Sequence, residues 1–155
     1  MDILIRNYME SDSIELLDLF NTTIRHVNKL DYNSEQLNAW APIDRNLDEW
    51  HKSFEGSVTL VAILDSSIAG FCDFRKDGYI NRFYVSSNYI RKGIGQALYK
   101  EVESSITNLN LSKITVDASI TARPFFEKMG FGVFQEQKIN LREVEFKNYK
   151  MLKKL

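Results

Sequence analysis

The segment RKGIG, Arg91 to Gly95, has residue types and a spacing suited to binding an anion. It follows a β-rich run, Tyr79 to Val85, and precedes a segment whose apolar residues recur at helical spacing. A strand, a glycine turn and a helix in this order offer phosphate unpaired backbone N–H groups at the positive end of the helix dipole. Gly93 and Gly95 carry no Cβ, so the main chain here can lie directly against an anion. A tight turn that merely uses glycine is the competing interpretation.

Two familiar nucleotide motifs do not fit this segment. A P-loop has a first glycine, four residues and then Gly-Lys-Ser/Thr, and RKGIG is not part of such a run. A dinucleotide fingerprint requires a third glycine where Leu98 stands. If the segment binds phosphate, it therefore does so as a cradle of another kind.

Periodicity predicts one strand and three helices in the first third of the chain. Apolar and polar residues alternate from Ile3 to Tyr8, as in a half-buried strand. Asp12 then stands at a helix N-cap position, with Glu15 three residues later. The apolar stripe of the helix that follows is Ile14, Leu17, Phe20, Ile24 and Val27. The irregular segment 29–54 mixes turn residues with two tryptophans and indicates two short helices joined by a loop.

The middle of the chain predicts a sheet with one crossover. The runs 57–64 and 67–76 are parted by Asp65 and Ser66, which favours an antiparallel hairpin. The pair Asp77-Gly78 then turns the chain into the strand from Tyr79 to Val85. The helix after the glycines leads to another strand in LSKITVDAS, and such a crossover is what a parallel pair requires.

The end of the chain predicts a short helix and a final hairpin. Thr121 stands where a cap is expected, Pro124 falls in the first turn, and Gly130 lies just past the last. Strands at about 131–141 and 144–152, joined by a tight turn at Arg142 and Glu143, close the chain. The expected fold is one α/β (α+β) domain over residues 1–155, with a mixed, mostly antiparallel sheet, one parallel crossover and helices on both faces.

Bulk composition excludes several functional classes. The 155 residues are 44% hydrophobic and 26% charged, which is typical of a globular domain. Twenty basic and 21 acidic residues give a net charge of -1, so nothing in the overall charge favours nucleic acid or an anionic membrane. The chain has no apolar run of membrane-spanning length and no signal-peptide core, so a cytoplasmic location is expected. Cys72, the single cysteine, is either a buried inert thiol or, less commonly, a nucleophile.

The stretch FYVSSNYIRKGIGQALY resembles the coenzyme A pyrophosphate motif of the GNAT superfamily of N-acetyltransferases, in which a strand ending in Val precedes Q/R-x-x-G-x-G/A. The resemblance implies that the strand contacts the pantetheine arm through Phe83, Tyr84 and Val85. It also implies a pyrophosphate cradle made by Arg91, Lys92, Gly93, Ile94, Gly95 and Gln96. One departure is that Ile90 occupies the Q/R position, with Arg91 one place later.

A second segment, SITARPFFEKMGF, resembles the family pattern N-x-x-A-x-x-x-Y-x-x-x-G-F. Ser119 takes the Asn position, Ala122 the Ala position and Phe126 the Tyr position, all three on the coenzyme side of the site. The element order matches along the whole chain and is similar to that of a bacterial branch of uncharacterised GNAT proteins. The resemblance therefore implies transfer of the acetyl group of acetyl-CoA to a primary amine by direct attack, without a metal. A non-catalytic acyl-CoA sensor is the alternative, and an enzyme acting on protein amines is a third possibility.

The catalytic groups typical of the superfamily are not all present. Phe126 stands where many relatives have a tyrosine that protonates the leaving thiolate, and a phenyl ring has no proton to give. Tyr79 stands where histone-acetylating relatives have a glutamate, and Asn81 follows two residues later. A tyrosine is a poor base at pH 7, so deprotonation through water held by Tyr79 and Asn81 is expected. The N–H of a bulged strand near Val85 would polarise the thioester carbonyl.

The amine acceptor is expected over the irregular segment that follows the first helix. Candidate pocket residues are His26, Tyr32 and Trp40. His26 is either a pocket member or a structural histidine, and Trp40 is either a cation cage or core. Tyr32 is a pocket wall, a substitute acid or a packing residue. The expected partner is a small-molecule or peptide amine, and the closing hairpin permits a homodimer.

Overall fold

The computed structural model describes residues 2–155, which contain seven strands and five α-helices. The strands are β1 (Ile3–Asn7), β2 (Val58–Leu64), β3 (Ser67–Phe74), β4 (Tyr79–Val85), β5 (Lys113–Ser119), β6 (Gly132–Leu141) and β7 (Val144–Lys154). The helices are α1 (Ser13–His26), α2 (Ser34–Trp40), α3 (Leu47–Lys52), α4 (Ile94–Asn108) and α5 (Arg123–Lys128). The strands form one sheet in the order β1-β2-β3-β4-β5-β7-β6. Only β4 and β5 pair in parallel within this sheet, which confirms the predicted fold class.

Two tight hairpins connect neighbouring strands where the sequence predicted turns. Asp65 and Ser66 join β2 to β3 with φ of 52° and 67°, and Arg142 and Glu143 join β6 to β7 with φ of 48° and 66°. Two consecutive left-handed residues give the turn whose twist matches that of the flanking strands. Gly78, before β4, has φ +92°, and a Cβ there would lie 2.7 Å from the Lys113 carbonyl oxygen. Glycine is therefore required at this turn.

The sheet separates two hydrophobic cores. α4 and α5 cover one face, where the alternating residues of β5 that point inward are Ile114, Val116 and Ala118. α1, α2 and α3 cover the other face, with Phe20, Trp50 and Phe71 among the buried residues. Because side chains alternate along a strand, Asp117 and Ser119 of β5 must point to the α1–α3 face. Two polar side chains are thereby directed into the cleft between that face and its helices.

Three local predictions about helix ends and faces were wrong. Ile14 is 70% exposed, because it lies two residues, about 200° around the helix axis, from Leu16, which is fully buried. The Asp12 side chain does not cap α1 but accepts hydrogen bonds from Arg6 and the Met9 amide. Thr121 does not cap α5, and the Ser119 hydroxyl accepts from the Ala122 amide instead. In each case the prediction chose one hydrogen-bonding group or one helix face, and the structure uses a neighbouring one.

The Arg6–Asp12 ion pair predicts an acid-sensitive contribution to stability. Hydrogen bonds from Arg6, supported by the Met9 amide, hold the pKa of Asp12 below its usual value despite burial. The pair therefore stabilises the fold above the unfolded-state pKa of about 4, and this contribution is lost as the pH falls through the lower folded-state pKa. We expect Asp12→Asn to lower the free energy of unfolding at pH 7 by about 1 to 2 kcal/mol. The deficit should shrink towards pH 3.5 in urea titrations, whereas Asp18→Asn, at an exposed position, should show no deficit at either pH.

Candidate active site

β4 pairs with β5 only through its first two residues, and the two strands then separate. Their parallel register consists of Tyr79 with Thr115 and Ile80 with Val116. A cavity of about 270 Å³ occupies the gap beyond these pairs. Residues from both faces of the sheet line it, among them Thr23 and Trp40 on one side and Gly95, Phe125 and Phe126 on the other. We call it the through-sheet cavity, since it connects the two faces.

A β-bulge at Asn81 marks the point where the two strands diverge. Arg82 pairs with Asp73 and Ile80 with Phe74, so Asn81 is the extra residue on β4. This position corrects the expectation of a bulge near Val85, four residues later. The Asn81 side chain donates to Asp73 at 3.1 Å and also lines the through-sheet cavity. The bulge therefore aims Asn81 at the gap while tying it to β3.

A buried ion pair holds the bulge in place. The Arg82 guanidinium donates to both oxygens of Asp73 at 2.7 and 3.0 Å, and Asp73 is fully buried. Arg82 also donates to the Ser53 hydroxyl at 2.8 Å and lies 4.1 Å from the centre of the Phe54 ring. The Asp73 carboxylate is thus fully engaged with Arg82 and Asn81. It serves to fix β4 on β3 and is not available to a substrate.

The peptide groups at the end of β4 point into the gap. The Ser86 amide donates to the Ala69 carbonyl on β3, so the alternate residues Val85 and Phe83 direct their N–H and C=O groups away from β3. The Thr23 hydroxyl on α1 donates to the Val85 carbonyl at 3.1 Å. Both strand-end residues line the through-sheet cavity. An extended molecule in the gap could therefore pair with them as an added strand would.

The glycine turn presents unpaired amides beside the same gap. Gly93 has φ +80° and precedes the first turn of α4, whose first backbone bond joins the Ala97 amide to the Gly93 carbonyl. The amides of Ile94, Gly95 and Gln96 therefore have no acceptor within the helix. A Cβ on Gly95 would lie 3.0 Å from the Phe125 ring. This arrangement fits an anion lying against the backbone, as expected from the sequence, with Arg91 and Lys92 exposed nearby.

A carboxylate that the sequence analysis did not single out lies in the middle of the site. Asp117 on β5 accepts a hydrogen bond from the Tyr79 hydroxyl at 2.8 Å and from the Gln137 amide at 3.2 Å. Burial and the bond to Asp117 raise the pKa of Tyr79, so its phenol stays protonated at neutral pH. Tyr79 is therefore a donor that orients Asp117 rather than a base. Asp117 keeps its remaining lone pairs for whatever enters the gap.

A second cavity adjoins the first on the α1–α3 face. It encloses about 240 Å³, and we call it the side cavity. The residues that line both cavities are Trp40, Asn81, Tyr84, Asp117 and Ser119. Its other walls include Phe146, Ile139 and Leu141 from the closing hairpin. Asp117 thus stands at the junction of a through-sheet cavity and a side cavity.

The segment 28–33, which we call the strap, contributes Tyr32 to the wall of the side cavity. The Tyr32 hydroxyl donates to the Lys147 carbonyl and accepts from the Ile120 amide, both at 2.9 Å. Asp31 accepts from Thr121 at 2.7 Å, which ties the strap to the loop before α5. The only hydrogen on the Tyr32 hydroxyl is thus already donated, which argues against a role as substitute acid. Tyr32 acts as a wall and as a tether.

Two other candidates take up different positions. Trp40 lines both cavities and meets the Tyr32 ring edge-on at 5.3 Å. His26 is exposed on α1 and is absent from the lining of either cavity, so the structure does not bring it to the site. Cys72 is fully buried away from both cavities, and burial raises its pKa well above its usual value. A thiolate nucleophile at Cys72 is therefore disfavoured.

The second family-like segment lines the α4–α5 side of the gap. Ser119 and Ala122 line the through-sheet cavity, joined by a bond from the Ala122 amide to the Ser119 hydroxyl. Phe126 is 2% exposed, and its ring lies 5.7 Å from that of Phe83 and 5.2 Å from that of Phe131. Phe126 thus forms an apolar wall. Tyr84, which lines both cavities, carries a hydroxyl, and burial raises the pKa of that phenol.

The described residues include neither a membrane-spanning helix nor a metal-binding cluster. Within residues 2–155, no helix combines the length and apolar character needed to cross a membrane. The same residues include no cluster of three or more His, Cys, Asp or Glu side chains arranged to hold a metal ion.

A mixed sheet split at its parallel pair, with an amide-lined helix start beside the gap, agrees with the fold expected from the resemblance to acetyltransferases. The chain belongs to the GNAT family: residues 28–153 match the acetyltransferase (GNAT) domain. It is 35% identical over 150 residues to the uncharacterised N-acetyltransferase YafP of Escherichia coli (strain K12), covering 97% of this chain and 95% of that protein. The resemblance stated from the sequence is thereby confirmed.

Solved structures show the same fold along the chain. The GCN5-related N-acetyltransferase described as Aminotransferase, Class-II, from Rhodopseudomonas palustris superposes with a TM-score of 0.96 at 26% identity, covering 100% of this chain and 97% of the other. The PaiA N-acetyltransferase of Thermoplasma acidophilum, solved in complex with coenzyme A, has a TM-score of 0.76 at 21% identity, with 100% of both chains covered. The second similarity is one of fold.

Asp117, Gln137 and Asn148 are among the polar residues of the side cavity that sequence reasoning missed. A signal existed for Asp117, because the alternation in KITVDAS puts it on the same face as Ser119, which had been singled out. The other two carry no local signal. They reach the site because Ser119 pairs with Asn148, and Asn148 with Gln137, across three adjacent strands.

Proposed function

We propose that the protein transfers the acetyl group of acetyl-CoA to a primary amine by direct attack in a ternary complex. The observation that carries this proposal is the position of Asp117, at the junction between a through-sheet cavity beside an amide-lined turn and a separate side cavity. A thioester entering along one cavity and an amine entering along the other would meet at this carboxylate. Family membership supports the acetyl transfer, and the residues assign the parts.

The chain offers a fitting site for the coenzyme. The free amides of Ile94, Gly95 and Gln96 would hold the pyrophosphate, with Arg91 and Lys92 adding positive charge. The peptide groups of Phe83 and Val85 would pair with the pantetheine arm, and the Tyr84 side chain would line its path, with Ser119, Ala122 and Phe126 as the opposite wall. The coenzyme A complex of the PaiA relative supports this placement by its common fold. The cosubstrate supplies the activated acetyl group, and the remaining chemistry falls to the protein.

The proposed roles at the reacting atoms account for each proton. Acetyl transfer forms a C–N bond and breaks the C–S bond, and the nitrogen of an ammonium loses two protons in becoming an amide. Asp117 accepts the first of these protons before the attack, and the donors Tyr79 and Gln137 hold its carboxylate in position. The Phe83 or Val85 amide, both directed into the gap, donates to the carbonyl oxygen as negative charge develops there. The second proton passes to the departing sulfur, which leaves as a thiol, and the Tyr84 hydroxyl donates a hydrogen bond to that sulfur, a role that Phe126 cannot fill.

This assignment changes the roles of the three residues proposed as catalytic from the sequence. Tyr79 becomes a positioning residue, because its hydroxyl donates to Asp117. Asn81 stays beside the reacting atoms, where it lines both cavities and can hold a water molecule. Tyr32 becomes a wall of the amine site, since its hydroxyl is bonded to two backbone groups.

Coenzyme release with a panel of primary amines tests the proposal. The purified protein is mixed with acetyl-CoA and each amine, and free thiol is measured together with the acetylated product. We expect release that depends on the amine and on enzyme concentration. Saturable acetyl-CoA binding without thiol release from any amine would instead support the alternative, a non-catalytic acyl-CoA sensor. The sensor is suggested by Phe126, which stands where many relatives have the tyrosine acid. The position of Asp117 at the junction of the two cavities favours turnover instead.

Modification of large protein substrates is the weaker possibility. The strap is tied to the loop before α5 and to β7 through Tyr32 and Asp31, and Tyr32 forms part of the wall of the side cavity. A folded protein presenting a lysine or an amino terminus would need an open groove at this place. A small-molecule amine therefore fits the site better than a protein amine does.

Replacing Tyr84 by phenylalanine tests the proposed hydrogen bond to the departing sulfur. The phenol is half-buried at the junction of the cavities, so removing its oxygen deletes a donor with little change in shape. We expect kcat to fall by at least about tenfold, while acetyl-CoA affinity stays within about twofold of wild type. Steady-state kinetics and calorimetry measure the two quantities. An unchanged kcat would remove Tyr84 from the mechanism.

A further inference from the structure

The side cavity has the chemistry to select one class of amine. We propose that the acceptor is a small alkyl amine that carries a single positive charge, an aromatic or similarly apolar body, and no carboxylate. The inference rests on the proposed acetyl transfer and goes beyond it by naming the substrate class. It is carried by the charges, the free acceptors and the apolar walls of the side cavity.

An ammonium group would find two oxygen acceptors in the side cavity. Asp117 is the one carboxylate that lines either cavity in the described chain, and it retains lone pairs beyond those bonded to Tyr79 and Gln137. The amide oxygen of Asn148 is buried and accepts no hydrogen bond from residues 2–155. A buried acceptor without a donor is costly, and an N–H group of a bound amine would satisfy it. Both side chains point to the same face of the sheet, because Ser119, two residues after Asp117, pairs directly with Asn148.

The same lining offers nothing to a second charged group. Lys147 is the one cationic residue in the lining of the side cavity in the described part of the chain. Its side chain points to the opposite face of the sheet from its neighbour Asn148, and its ammonium is 3.1 Å from Glu136. The carboxylate of an amino acid would therefore find no cationic partner in this lining. The second ammonium of a polyamine would find no further carboxylate in the lining. The site therefore favours a monocation over a zwitterion or a polycation.

Apolar side chains form the rest of the side cavity. The rings of Tyr32, Trp40 and Phe146 lie 5.3 to 6.0 Å from one another, and Ile139 and Leu141 complete the wall. Such rings favour an apolar body and can also stabilise a nearby cation through their faces. The enclosed volume of about 240 Å³ suits a small metabolite. An arylamine such as aniline fits by shape but is neutral at pH 7, so it would leave the charge of Asp117 unpaired.

A matched set of ligands tests the inference by binding as well as by turnover. Calorimetry on the protein saturated with coenzyme A compares phenethylamine with 2-phenylethanol, which has the same body without the charge. Thiol release with acetyl-CoA compares phenethylamine with L-phenylalanine, spermidine and aniline. We expect phenethylamine to bind at least about tenfold more tightly than the alcohol, and its kcat/KM to exceed those of the three other amines by about tenfold or more.

Variants identify the groups that give this preference. Asp117→Asn should abolish the advantage of phenethylamine over 2-phenylethanol in binding, and Asn148→Leu should reduce it. The control Asp18→Asn, which removes an exposed carboxylate from α1, should leave it unchanged. A preference that survives in Asp117→Asn would overturn the assignment of the charge partner.

The outcomes separate this inference from the proposed function. Turnover of L-phenylalanine, spermidine or aniline equal to or faster than that of phenethylamine overturns the substrate class and leaves acetyl transfer standing. Selective binding of phenethylamine without thiol release supports the substrate class as a binding preference and contradicts the enzyme. Equal binding of phenethylamine and 2-phenylethanol overturns the inference whatever the turnover.

Discussion

The Gly95→Asp variant loses acetyl-CoA affinity by on the order of 100-fold or more, which corresponds to about 2.7 kcal/mol of binding free energy. The new carboxylate would stand in the first turn of α4, among the amides proposed to hold the pyrophosphate. This carboxylate would repel the phosphates, and it would also accept hydrogen bonds from the amides that are proposed to hold them. Its Cβ would also press on the Phe125 ring, which lies 3.0 Å from the position of that atom. Calorimetric titration with acetyl-CoA measures the loss.

The fold should survive this substitution, so that the loss reports on binding. An aspartate in the first turn of a helix interacts favourably with the helix dipole and does not remove a helical hydrogen bond. Gly132→Asp is the matched control, because it makes the same chemical change on β6, where a Cβ would meet no atom within 4 Å. Gly95→Ala adds a Cβ without a charge, so it separates the effect of side-chain bulk from that of charge. It should lower acetyl-CoA affinity less than Gly95→Asp does. Wild-type affinity in Gly95→Asp, with an unchanged circular dichroism spectrum, would show that RKGIG is only a turn.

The Asp117→Asn variant keeps acetyl-CoA affinity and loses about 100-fold or more in kcat near pH 7. Asparagine has the shape of aspartate but cannot accept the proton of the attacking amine. The substitution lies on β5, away from the amides of the glycine turn, so the coenzyme site should be preserved. Single-turnover thiol release and acetyl-CoA calorimetry on the same preparation distinguish the two effects.

A pH profile distinguishes a base from a merely structural residue. The neutral fraction of an alkyl amine rises about tenfold per pH unit below its pKa of roughly 10, so the need for a base diminishes as the pH rises. The kcat/KM deficit of Asp117→Asn should therefore narrow between about pH 7 and pH 9.5. Tyr79 does not titrate in this window, because its pKa is raised above the usual value for tyrosine. A deficit that stays constant across the window would contradict the role of Asp117 as base.

Tyr79→Phe provides the companion measurement. It removes the donor to Asp117 but leaves the carboxylate, so a smaller fall in kcat of about tenfold is expected. Combined with Asp117→Asn, it should add little further loss, because its effect acts through the same carboxylate. Additive losses in the double variant would show that Tyr79 contributes independently of Asp117.

Local sequence patterns determined the elements of this protein and one half of its site. Alternation and helical spacing identified the strands and helices, and the residue pairs Asp65-Ser66 and Arg142-Glu143 identified the hairpin turns. The glycine turn was visible because its requirements are local: backbone without Cβ atoms, placed between a strand and a helix. Errors occurred at helix ends, where two neighbouring residues, such as Ser119 and Thr121, compete for the same cap.

Only the tertiary structure decided where the acceptor half of the site lies. Asp117 meets Tyr79 and Gln137 across 38 and 20 residues of sequence, through the parallel pair and the closing hairpin. The Tyr32 hydroxyl forms hydrogen bonds with backbone groups 88 and 115 residues away, and these bonds argue against a role for Tyr32 as an acid. His26, on the neighbouring helix, is exposed to solvent. Periodicity determines which face of an element is buried. It does not determine strand register or the extent of separation between two strands, because these depend on packing and hydrogen bonding between segments that are distant in sequence.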